Sequence, residues 1–200
     1  MLFGLFSILV KTNKMSEYLH LKDQTSNPAP LGLMGFALTT ILLNIHNAGF
    51  FPVDTMIMGM GIFFGGFAQF CAGIMEWKKG NMFGSVAFMS YGAFWLSLVF
   101  LWIGADLFDL QKPNGVSMGS YLFMWGLFTF VFFIQTLNGK TVGKLLFFSL
   151  FILFMLLAVF NFTGNKVIGT IAGFEGIVCG FIAFYEASAI MINDKYGREI

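Results

Sequence analysis

Six long apolar runs, parted by short polar or glycine-bearing joints, account for most of this chain. They lie at about 31–45, 55–75, 83–103, 120–137, 144–162 and 167–192. A bilayer crossing needs about 20 apolar residues in a helix, so the pattern predicts six transmembrane helices. Barrel strands need ten-residue segments of alternating polarity, whereas these runs are longer and apolar on every face. The expected fold is all-α, an integral membrane bundle of six transmembrane helices around a central pore. One membrane domain covers 27–193, with an N-terminal segment at 1–26 and a charged tail at 194–200.

Basic residues orient the bundle. Lys11, Lys14, Lys22, Lys78, Lys79, Lys140, Lys144, Lys195 and Arg198 fall on one side, and only Lys112 and Lys166 on the other. The positive-inside rule places both termini in the cytoplasm and implies a multi-pass protein of the cell inner (plasma) membrane.

Composition narrows the function. The 200 residues are 58% hydrophobic and 10% charged, against roughly 25% charged in soluble domains, so the lipid bilayer is the expected surroundings. No second soluble domain fits. The net charge of +1 gives no basic field for nucleic acid. Cys71 and Cys179 sit inside apolar runs without metal-ligand spacing and read as packing residues. HExxH, GxSxG and Walker motifs are absent, which argues against an enzyme and suggests neither a metal nor a cofactor. The first ten residues are too short to span and lack signal-peptide flanks. They either lie at the interface near Lys11 and Lys14 or precede a natural start at Met15.

Small residues recur at helical spacing. Gly61, Gly65 and Gly73 form one row; Gly169–Gly173, Gly176–Gly180, Ala183 and Ala187 form two more. Such rows let helices approach closely, either as packing within one subunit or as the frame of a narrow pore. Before the first run stands Asn27-Pro28-Ala29-Pro30-Leu31-Gly32-Leu33. It reads either as an ordinary helix start with proline in its first turn or as a helix N-terminus open to a carboxylate. Gly32, Phe36, Thr40, Leu43 and Asn47 share one face, bordered by Asn44, with the mixed character of a pore wall. Gln69, Ser90, Gln135, Thr136 and Ser149 are further polar residues at membrane depth, where hydrogen bonding between helices or a cavity is the alternative to lipid. Glu175 is the one carboxyl group well inside a run. An ionised carboxylate is costly there, so it is either a hydrogen-bonded structural residue or a possible proton site. His46 stands near the far end of the first run, structural or titrating.

NPAPLGLMGF, ILLN followed by HN, MGIFFGGFAQ, EWKKGNMFG, SYGAFW and the terminal YGR occur in this order over about 27–198. In this the chain resembles the acetate uptake transporter family, the succinate–acetate permeases. The resemblance implies a homohexamer with a pore through each subunit, and uptake of acetate and related short carboxylates, proton-linked or channel-like. It also implies a hydrophobic substrate-pathway constriction at Phe36, Tyr91 and Leu150. With the polar pattern it gives Asn27, Gly32, Thr40, Asn44, Asn47 and Gln135 as substrate-binding candidates. Two alternatives stand beside this expectation: a proton-gated channel for urea or short amides, and a membrane sensor or assembly partner without solute flux.

Overall fold

The computed structural model describes residues 25–199, and all regular structure among them is helical. The expectations for the N-terminal segment up to residue 24 lie outside these residues. Six helices are long and apolar enough to cross a membrane: α1 (Ala29–Asn47), α2 (Thr55–Lys78), α3 (Met82–Phe108), α4 (Gly115–Thr136), α5 (Thr141–Thr163) and α6 (Lys166–Tyr196).

Local chemistry sets their ends. Asp54, Asn81, Asn114 and Asn165 each cap a helix start, their side-chain oxygens accepting first-turn N–H groups of α2, α3, α4 and α6. Left-handed residues stop α3 at Asp109, α5 at Gly164 and α6 at Gly197. Three boundaries therefore shift furthest from the hydrophobic runs: α3 continues through Asp106, α4 begins already at Gly115, and α6 carries on through Asp194 and Lys195. Charge alone does not end a helix; the αL residue does.

Glycine decides how closely α6 meets α1. A methyl group at Gly173 would collide with the backbone at Asn47 and Ala48, and one at Gly176 with the Asn44 carboxamide. The rows on α6 thus serve helix contact within the subunit. On α2, methyl groups at Gly61 and Gly65 would press on Val99 and on Thr39 and Trp95. Helices α2–α3 and α4–α5 pack as neighbouring antiparallel pairs, and α5 also packs on α6. Aromatic rings join α3 to α4: Phe94 stacks on Tyr121 at 5.8 Å, and Tyr91 lies 5.9 Å from Phe128.

Within α2, Met60–Ala68 is wound as a π-helix, which the hydrophobic pattern does not announce. Its i→i+5 turns are wider than α-helical ones. Thr39 Oγ1 donates to the Met60 carbonyl at 3.4 Å. Gly35 of α1 and Gly92 of α3 allow backbone approach to the Phe64 and Gly66 carbonyls.

Candidate permeation path

The start of α1 uses up its own donors. Asn27 Oδ1 accepts from Ala29 N at 3.0 Å, Pro30 has no N–H, and Leu31 N and Gly32 N both reach the Pro28 carbonyl. The first turn therefore holds no free N–H for a carboxylate, and the motif acts as a rigid, self-satisfied helix start. Asn27 is exposed and lines a cleft of about 680 Å³ with Asp194 and Lys195 at the end of the bundle where both described termini lie. Gly32 is buried against the Phe88 ring.

One turn further, Phe36 on α1, Tyr91 on α3 and Leu150 on α5 line the same small cavity. Its volume is about 30 Å³, room for roughly one water molecule. Phe36 and Tyr91 are in ring contact at 6.1 Å. The Tyr91 hydroxyl points elsewhere, bonded to Thr129 Oγ1. Leu33, Ala87, Phe88, Leu146 and Phe147 complete the apolar wall. Gln69, on α2, is the exception: it lines this cavity while 1% exposed, and its Oε1 has no hydrogen-bond partner among the described residues.

A second cavity, of about 200 Å³, lies toward the opposite end. Leu43, Leu98 and Leu157 line it, each seven residues beyond Phe36, Tyr91 and Leu150 respectively. Seven residues are about two helical turns, or roughly 10 Å. The three parallel odd-numbered helices thus present one continuous inner face to both cavities. Phe94 and Phe154 meet edge to face at 5.2 Å in the stretch between. Thr40 falls on the same face of α1, between Phe36 and Leu43. It is buried, and its Oγ1 has no hydrogen-bond partner among the described residues.

Polar groups gather at the far mouth. His46 and Asn47 line both this cavity and an adjoining one of about 260 Å³, where Lys166 and Thr170 join them; Asn161 lines the first. His46 Nδ1 lies 2.7 Å from the Phe51 carbonyl. A carbonyl only accepts, so Nδ1 carries the proton. Asn44 stands outside the path: its amide donates to the Thr40 carbonyl, its oxygen accepts from Asn47, and it lies under Gly176.

Two other residues read from the sequence lie apart from these cavities. Gln135 is exposed near the end of α4. Glu175 stands at the α5–α6 seam, where Ser149 Oγ donates to its Oε1 while Oε2 has no partner among the described residues. The pattern of the sequence brings out neither the position of Gln69 at the small cavity nor that of Asn161 and Lys166 at the far ones. A polar residue inside the apolar run GGFAQF was the one available signal for Gln69.

Comparison with known proteins fits this architecture. The chain is 50% identical over 175 residues to the succinate-acetate/proton symporter SatP of Escherichia coli K12, covering 88% of this chain and 93% of that one. A solved structure of the bacterial acetate channel SatP, 50% identical, superposes with a TM-score of 0.87 over 88% of this chain and 98% of that chain. The ammonia transport outward protein 2 of Saccharomyces cerevisiae is 40% identical over 171 residues, 82% of this chain and 61% of its own length. Residues 12–197 match one family throughout. The six-helix bundle with its pinched inner face is therefore that of a membrane protein belonging to the GPR1/FUN34/yaaH family.

Proposed function

We propose that this protein carries acetate and related short carboxylates, succinate among them, across the cell inner membrane. The observation that bears most weight is the seven-residue register between the two cavities. It sets a polar mouth, an apolar shaft and a tight neck in line along α1, α3 and α5. Lys166, His46, Asn47 and Asn161 would gather the anion, and Thr40 offers a further polar step. Phe36, Tyr91 and Leu150 would admit a small solute with a methyl end and exclude bulky or highly charged ones. Binding along such a path must be weak enough for release.

The basic residues at the terminal end of the bundle support a cytoplasmic placement of both termini, with the Lys166 mouth outside. Membership of the family supports a homohexamer with one path per subunit. Inward movement of a lone anion against a negative-inside potential costs about 2.3 kcal/mol per 100 mV. Passage of the uncharged acid removes that cost, so uptake is proton-linked.

Labelled acetate uptake into vesicles holding the purified protein tests this reading. Uptake should rise as external pH falls and change with Phe36→Ala or Tyr91→Ala. Folded protein that admits no acetate at any pH ends the proposal, and urea flux exceeding acetate flux moves the assignment to urea or short amides.

A further inference from the structure

We propose that Gln69 reads the carboxyl end of the solute at the neck and pairs preferentially with the uncharged acid. The inference rests on the transport reading above. Every other side chain lining the neck is apolar except Tyr91, whose hydroxyl is committed to Thr129. Gln69 is buried to 1% exposure, yet its Oε1 has no partner among the described residues. Buried polar atoms are nearly always satisfied, so an amide oxygen left open on the wall of the proposed path is a contact awaiting its ligand.

The chemistry of the amide selects that ligand. A primary carboxamide presents a carbonyl acceptor and an N–H donor side by side. A carboxylic acid is its complement: the acid O–H donates to Oε1 while the amide N–H donates to the acid carbonyl. A carboxylate has no proton for Oε1 and sets its charge against the oxygen lone pairs. Either assignment of the amide oxygen and nitrogen presents the same pair of groups. The acid therefore stands with its carboxyl group on Gln69 and its methyl group against Phe36, Tyr91 and Leu150. Acetamide has the same shape, forms the same two hydrogen bonds and carries no charge at any pH, so it is a ligand of this neck as well.

Proteoliposomes of the wild type and of Gln69→Leu, compared with protein-free vesicles, test the assignment with labelled acetate and acetamide at acidic and neutral pH. Wild-type acetamide flux should be indifferent to pH and should compete with acetate. Gln69→Leu should lower both fluxes about tenfold, the worth of one net hydrogen bond. It should melt at or above the wild-type temperature, because no group among the described residues loses a hydrogen bond to Gln69 Oε1. Loss of stability together with flux would mark a structural role and overturn the inference. So would wild-type acetate flux with an unchanged pH profile in Gln69→Leu. If that variant fails to fold, the wild type decides: acetamide that neither crosses nor competes overturns the assignment. Wild-type vesicles that carry no acetate would instead overturn the transport reading itself.

Discussion

Tyr91 gives its hydroxyl proton to Thr129 Oγ1 at 2.9 Å, because the Thr129 hydroxyl already donates to the Trp125 carbonyl at 2.8 Å. The direction of this bond turns the polar end of Tyr91 into α4 and leaves only its ring to the neck. Phe36, Trp125, Phe128, Phe132 and Phe147 surround that ring. In the proposed path Tyr91 would thus be the fixed wall, and the opening needed for an acetate-sized solute would fall to Phe36 and Leu150.

Thr129→Val should therefore destabilise the protein by about 1–3 kcal/mol, the cost of leaving a buried hydroxyl without a partner. Thr129→Ser should melt like the wild type. Thermal unfolding in detergent measures both. Tyr91→Phe keeps the ring in the path and should transport acetate at close to the wild-type rate.

Truncation of the other two neck residues should change selectivity. One methylene in an apolar pocket is worth about 1–3 kcal/mol. Phe36→Ala and Leu150→Ala should accordingly raise butyrate flux relative to acetate by tenfold or more. Parallel uptake of the two labelled acids gives the ratio, and an unchanged ratio would remove these residues from the neck.

Two neighbouring glycines of α6, Gly173 facing α1 and Gly169 facing α5, should differ in tolerance. A methyl group at Gly173 meets α1 backbone, whereas one at Gly169 meets the Phe160 ring at 3.0 Å, a side chain able to shift. Gly173→Ala should cost about 1–3 kcal/mol by overpacking, and Gly169→Ala distinctly less. Melting temperatures compared in one detergent test the order.

Glu175→Gln keeps a carbonyl oxygen for Ser149 and removes the ionisable proton. Because Glu175 lines neither cavity, and the proton is proposed to travel on the acid itself, uptake should still rise as pH falls. A flattened pH profile in this variant would make Glu175 the proton-binding group.

Much of the fold was legible from hydropathy and small-residue spacing. Six runs became six helices, and Asp54, Asn81, Asn114 and Asn165 stand where capping chemistry puts such residues. The grouping of Phe36, Tyr91 and Leu150 around one cavity was legible differently: these residues have no distinguishing property singly and emerged from motifs in order. What stayed hidden depends on neighbours in space. Asn44 has the polarity of a pore residue, yet Gly176 lets α6 cover it. Gln135 has the same polarity but sits on the exposed side of α4. Gln69 differs from both only in what α1 and α3 place opposite it.

The wide winding of α2 bears on that last residue. Gln69 is the first residue after Met60–Ala68, so the angle at which its amide points is set by how many residues each preceding turn takes. Tightening those turns by one hydrogen-bond step would advance Gln69 around the helix axis and turn its amide away from the small cavity, and it would also remake the close contacts of Gly35 and Gly92 with the Phe64 and Gly66 carbonyls. The direction of this one polar group is thus tied to the winding of α2, a helix that supplies no other residue to the wall of that cavity.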